Sequence, residues 1–236
     1  MSSAVGKWAE IALNTGYLIV LWIMIAGMFR RIGNLRPKDA AVANSLMIAF
    51  VLLALGETGY GAFAAMRAAG SFPWLGLGIL STEMAVTFFY VVMLDAWRKR
   101  FDKSYEAFEY TLIVAAIARL IMFIHPDNPW FGAISPFQWS VLRSLPLLLQ
   151  GVGTSYVILR DGIKYKDGLF KLIGMMLLLS LALYIPIVLL VQKLYWIQLL
   201  TISKTVTYIA LVTVVYEKLF AAREYLLYKT EMNKGI

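Results

Sequence analysis

Long apolar runs, broken at clusters of charge, proline and glycine, divide the chain into seven segments at about 8–29, 40–66, 74–97, 105–124, 136–159, 169–192 and 195–221. The connections read RRIGNLRPKD, RAAGSFP, RKRFDKS, HPDNPWFGAI, RDGIKYKDG and KL. Each run has roughly the 20 residues that a helix needs to cross a hydrocarbon core. Inside lipid every backbone polar group must be bonded within its own segment, so the runs are helices. The pattern predicts an all-α membrane protein: one seven-transmembrane helix bundle over 1–221, then a tail over 222–236. In that tail EKLFAAREYLLYK continues the seventh helix and lays Leu219, Phe220, Leu226 and Leu227 along the membrane surface.

Composition agrees with the pattern. The chain is 61% hydrophobic and 15% charged, with a mean hydropathy of +0.72. Soluble domains run nearer 45–50% and about 25%, so a soluble enzyme domain, a disordered regulator and a conventional nucleic-acid binder are excluded. The net charge of +8 belongs first to basic loops beside a bilayer, and no nucleic-acid partner is expected. With no cysteine there are no disulfides, iron–sulfur clusters or thiolate metal sites, and the lone His125 cannot build a multi-histidine centre. Neither a phosphate-binding glycine loop nor a nucleophile elbow is present. Met1-Ser2-Ser3-Ala4 lacks the layout of a signal peptide, and no internal repeat points to an inverted-repeat transporter.

Basic residues orient the bundle. Sixteen lysines and arginines follow the first, third, fifth and seventh segments, while only Lys7, Arg67 and Lys193 flank the other side. Cytoplasmic loops carry such an excess, which puts the N-terminus outside the cell membrane and the C-terminus in the cytoplasm.

Five charges lie where charges are costly. Glu57, Glu83, Arg119, Arg143 and Lys204 all fall about 8–15 Å from the outer boundary at 1.5 Å per helical residue. Facing lipid, each would cost several kcal/mol, so all five should point inward and meet. Polar residues share their helical faces: Thr87 and Tyr90 with Glu83; Thr201, Thr205 and Tyr208 with Lys204; Trp139, Pro146 and Gln150 with Arg143; Ser180 with Tyr184; and Glu10 and Asn14 with Tyr17.

Any one pair reads first as glue between membrane helices. The set of five reads differently, because three cations meet two anions and an unpaired buried charge is costly. That surplus calls for a neutral Lys204, a contribution from Glu10 or Asp127, or a bound anion. The loop His125-Pro126-Asp127-Asn128-Pro129-Trp130 should sit above this cavity, with Trp130 at the interface and His125 as either a solvated turn residue or a gate. Pro146 and Pro186 should kink or loosen their helices, and the glycines of GETGYGA should permit close helix packing.

Gly56-Glu57, Thr82 to Tyr90, Arg119, Asn128-Pro129-Trp130, Arg143 to Pro146, Tyr184-Ile185-Pro186 and Lys204-Thr205 together resemble the pattern of an uncharacterised family of prokaryotic seven-helix integral membrane proteins. Members often carry His where this chain has Tyr60. The resemblance implies a shared site and no particular activity. At the level of topology the chain is also similar to microbial rhodopsins, which implies retinal as a Schiff base on Lys204 with Glu83 as its counterion. Three departures stand against that: Leu200 one turn before the lysine, no Trp in the sixth helix and no Arg before Glu83.

The leading expectation is a receptor-like or carrier-like protein that needs no cofactor. An outward-facing cationic pocket formed by Glu57, Tyr60, Glu83, Arg119, His125, Arg143, Tyr184 and Lys204 would take an anionic or amphiphilic small molecule or lipid. Arg119 and Arg143 would grip a carboxylate or phosphate, and Lys204 would add a donor. Three alternatives stand beside it. One is an intramembrane lipid-modifying enzyme with His125 or Glu57 as general base. The others are a retinal protein and a proton-coupled transporter.

Overall fold

The computed structural model describes residues 4–71, 75–126, 128, 130–131, 137–190, 194, 197 and 200–221, without the side chains of 4–11 and 13. Seven α-helices follow in chain order: α1 (Ala4–Arg31), α2 (Pro37–Ala68), α3 (Leu75–Phe101), α4 (Ala107–Phe123), α5 (Phe137–Lys164), α6 (Gly168–Leu190) and α7 (Leu200–Val215). No strand occurs among the described residues. Six helical stretches are long and apolar enough to cross a membrane, the last being α7 together with the turn that follows it (Leu200–Ala221); α4, with 17 residues, is not among them. Neighbours in sequence pack as neighbours in space, α7 returns against α1, and α3 also packs on α5.

The seven expected segments are all helical, with ends that move for local reasons. α3 and α5 run on to Phe101 and Lys164 because their polar last turns stay helical. Asp95 bonds Arg98 and Lys99, one turn on, at 2.8 and 2.7 Å. Asp102 (φ 53°) and Lys166 (φ 55°) then close both helices in the left-handed region. Asp167 starts α6 by accepting the Leu169 and Phe170 amides at 3.0 Å, and it also takes Nε of Arg100 at 2.7 Å. Helices α5 and α6 continue through Pro146 and Pro186. α7 passes into a π-helical turn at Tyr216–Ala221. Of the residues expected along the membrane surface, Phe220 is instead buried in the core and Leu219 packs against it, while 222–236, with Leu226 and Leu227, lie outside the described residues.

Small residues bring α2 and α3 together. A Cβ on Gly56 would lie 2.3 Å from the Cβ of Ala85, and one on Gly59 would lie 2.3 Å from Oγ of Ser81. Such seams replace the hydrophobic driving force that lipid does not supply between helices. Below them Leu46, Phe50, Leu53, Phe89 and Met93 form a fully buried core that continues to Phe170 and Leu177 on α6. Outward faces are apolar too: Val114, Ile117 and Ile121 of α4 and Leu145, Leu149 and Val152 of α5 are exposed, as lipid-facing stripes are.

The α2–α3 seam makes a direct prediction. Gly56→Leu should force the helices apart and cost about 1–3 kcal/mol. Gly61→Ala should cost almost nothing, since its new Cβ meets only Cδ1 of Leu18 at 3.5 Å. Thermal unfolding in detergent separates the two.

Candidate functional site

Glu83 sits on the inward face of α3 because its neighbours Ala85, Val86 and Thr87 are buried. Its Oε1 accepts Nε of Arg143 from α5 at 3.1 Å, while Oε2 lies 3.0 Å from the same nitrogen as an ion pair without a hydrogen bond. Nη2 of Arg119, from α4, lies 3.6 Å away. The rest of the Arg119 fork is held by Oγ1 of Thr87 (2.7 Å), which shares the Glu83 face, and by two acceptors that no side-chain pattern reveals, the carbonyls of Arg143 (3.1 Å) and Glu83 (3.0 Å). Arg143 also donates to Oδ1 of Asn128 at 3.2 Å. Arg119 is 0% exposed and Arg143 5%. One acid thus joins three helices and the outer loop.

The loop folds down onto this triad. The Trp130 ring covers the guanidinium of Arg143 at 4.8 Å, and Phe123 covers that of Arg119 at 5.1 Å. Trp130 is anchored by its indole N–H on the carbonyl of Phe123 at 2.8 Å and by edge contact with the Phe123 ring at 5.8 Å. Asn128 bonds the carbonyl of Met122. A Cβ on Gly76 would collide with the Trp130 carbonyl, so this glycine lets α3 pass beneath the loop. Ring faces and carbonyl dipoles therefore surround the second positive charge of the triad. The expectation that an anion or a neutral lysine must absorb it is not needed for these three groups. Asp127 and the side chain of Glu10 lie outside the described residues.

Lys204 stands apart from the triad. Its ammonium lies over the rings of Tyr184 (5.2 Å) and Tyr208 (5.7 Å). Glu57 is the carboxylate that acts on it most directly, and Tyr17 lies beside Glu57. Among the described residues no carboxylate comes within 4.0 Å of the Lys204 ammonium. Lys204, Glu57 and Tyr184 are half-buried. The Tyr17 hydroxyl is buried without a hydrogen-bond partner. Tyr184 reaches toward the triad through Ser144, 3.3 Å from its hydroxyl.

The predicted residues are thus divided between two linked groups. Glu83, Arg119 and Arg143 form one, and Glu57, Tyr184 and Lys204 the other. Tyr60 is half-buried where α2 crosses α3, its backbone against Gly78. His125 is exposed and lies against Trp139, ring centroids 4.5 Å apart. Glu83, the counterion that the rhodopsin resemblance implies, is bonded to Arg143 and lies 3.6 Å from Arg119. The arginines expected to grip a ligand grip Glu83 and lie under Asn128 and Trp130.

Reasoning from sequence missed two buried acids, Glu109 of α4 and Asp161 of α5. Asp161 is 1% exposed; it accepts the indole N–H of Trp97 at 2.9 Å and the fork of Arg160 at 3.0 and 3.1 Å. The signal was the stripe Arg143, Gln150, Thr154, Asp161, which continues past the apolar run into what reads as a loop.

No family model, curated protein or solved structure matches this chain.

The two groups should respond differently to loss of charge. Glu83→Gln leaves two buried guanidiniums facing a neutral amide and should cost about 3–5 kcal/mol. Lys204→Met removes a cation that makes no contact ion pair among the described residues and should cost less than about 1 kcal/mol. Melting of both variants in one detergent makes the comparison.

Proposed function

We propose that this chain is a seven-span integral membrane protein that binds an anionic amphiphile beside Lys204, as a receptor or carrier does. One observation carries the reading: Lys204 is a half-buried ammonium held over two tyrosine rings, with no carboxylate in contact among the described residues. The other two cations of the buried cluster, Arg119 and Arg143, are both bonded to protein. A carboxylate or phosphate arriving at Lys204 would gain a charge-assisted bond without displacing one. The Tyr184 and Tyr208 hydroxyls supply further donors.

The seventh span in this reading is α4. At 1.5 Å per residue its 17 residues reach about 25 Å. Phe108 near its start meets Tyr156 of α5, while Arg119 near its end meets Arg143 of the same helix. It therefore runs between the same two levels as α5, with Tyr110, Val114, Ile117 and Ile121 exposed along its length. Seven crossings, with the basic connections inside, leave the N-terminus outside and the C-terminus in the cytoplasm.

Two measurements test these statements. Cysteines placed at Ser71 and Ser104 should label from opposite faces of sealed cells or vesicles, Ser71 from outside only; labelling of both from one face overturns the topology. Medium-chain fatty acids and lysophospholipids should raise the melting temperature of the wild type. That rise should disappear in Lys204→Met and persist in Lys204→Arg. If no anionic amphiphile shifts the wild type, the Lys204 site is structural.

A further inference from the structure

A cavity of about 150 Å³ opens between α3, α4 and α5 at the basic end of the bundle, the end opposite Lys204. Its walls carry both signs of charge: Lys103 and Arg160 on one hand, Glu106 and Glu109 on the other, with Trp97 and Tyr156 beside them. The two cations are placed to accept a phosphate. Arg160 gives Nε and Nη2 to Asp161, so Nη1 takes no part in that fork, and its side chain is 43% exposed. Lys103 is half-buried on the short link between α3 and α4.

The two acids are fixed by local chemistry. They form the capping box that starts α4, in which the Glu106 amide bonds Oε2 of Glu109 at 3.0 Å and the Glu106 carboxylate accepts the Glu109 amide. Each carboxylate keeps a second oxygen for another donor. A net anion alone would meet repulsion from this pair, and a cation alone would meet Lys103 and Arg160. A molecule bearing a phosphate and an ammonium a few ångströms apart satisfies both.

The mouth of the cavity points to the source of such a molecule. Phe108 and Tyr156 meet edge-to-face at 6.4 Å, and both are exposed on the face that continues into the lipid-facing stripes of α4 and α5. Aromatic residues of this kind sit at headgroup level, and the exposed Val114, Ile117, Leu149 and Val152 beyond them offer a surface for acyl chains.

We propose that this cavity binds the headgroup of a zwitterionic phospholipid with a primary ammonium, of the phosphoethanolamine class. Lys103 and Arg160 hold the phosphate, and Glu106 and Glu109 hold the ammonium. Only an ammonium with N–H donors can hydrogen-bond to both carboxylates, which sets this headgroup apart from the quaternary choline headgroup. The proposal rests on the membrane reading of the chain and is independent of the Lys204 site.

Native mass spectrometry of the full chain in detergent provides the test, with phosphatidylethanolamine, phosphatidylcholine and phosphatidylglycerol of matched acyl chains. Phosphatidylethanolamine should be retained about tenfold better than the other two. Glu106→Gln should abolish its preference over phosphatidylglycerol. Lys103→Gln should weaken retention about tenfold, and Ser104→Asp, which adds a negative charge to the cavity wall, should do the same. Lys38→Gln removes a basic residue at the same end but outside this cavity, and Lys204→Met tests the other site; both should leave retention unchanged. Equal retention of the three lipids, or equal losses in Lys38→Gln and Lys103→Gln, would overturn the proposal. Competition by free phosphoethanolamine at the lipid's own concentration would assign the site to a soluble phosphoester and overturn its lipid assignment.

Discussion

A carboxylate placed inside a membrane bundle must find cations, and Glu83 finds two. The arrangement of α3, α4, α5 and the residues Asn128 and Trp130 that follow α4 accords with that requirement. Arg143 supplies its bonds across the α3–α5 interface, and Arg119 reaches the same carboxylate from α4. Each guanidinium has more donors than one acid can use. The remainder are taken up by Thr87, by the carbonyls of Glu83 and Arg143, and by Asn128, whose loop must fold inward to reach them. Trp130 and Phe123 then lie on the guanidinium faces. A loop that would otherwise cross the membrane surface becomes part of the buried network.

The same interface is tied at two further levels. Gln150 donates to the carbonyl of Thr87 at 3.0 Å in the middle of the bundle, and Asp161 takes the indole N–H of Trp97 near the basic end. From Arg143 to Asp161 this seam spans about 27 Å at helical rise, most of a hydrocarbon core. Polar bonds in such surroundings gain from the absence of competing water, though each contributes only modestly. With the small-residue seam between α2 and α3, they hold α2 to α5 to one another. α7 meets this core through Tyr208, whose ring lies edge-on to Phe89 at 6.2 Å and whose hydroxyl faces that of Tyr90. Lys204 lies one turn before Tyr208 in the same helix.

The helices were legible because lipid is a severe solvent: seven apolar runs have no stable form in it but helix, and all seven are present. The inward charges were legible for the same reason, since Glu83, Arg119 and Arg143 could not face acyl chains. Their pairing was not legible. The acceptors that complete Arg119 are main-chain carbonyls at Glu83 and Arg143, which exist at every residue and leave no mark on the sequence. Formal charge likewise counts neither carbonyl dipoles nor ring faces, so the environment of the two arginines was not legible either. Asp161 was lost at a boundary: hydropathy ends the fifth segment near 159, whereas the polar last turn stays helical and turns its acid inward against Trp97.

The choice of cation at each position follows from these roles. A guanidinium is planar, keeps its proton in every protein environment and presents five donors in a fixed fork, so it suits a site whose partners never change. Arg119 and Arg143 have such partners, and both are buried beneath the loop. An ammonium is compact, turns its three donors freely and sits on a flexible stem, so one acceptor can replace another at little cost in geometry. Lys204 has ring faces for neighbours and a carboxylate beyond contact, an environment that holds the charge without saturating its donors. Exchanging the two cation types would leave the formal charge of the bundle unaltered. It would also put a rigid fork among ring faces and a loose point charge where three helices must be held. The Glu83 network and the surroundings of Lys204 are therefore distinguished by donor geometry.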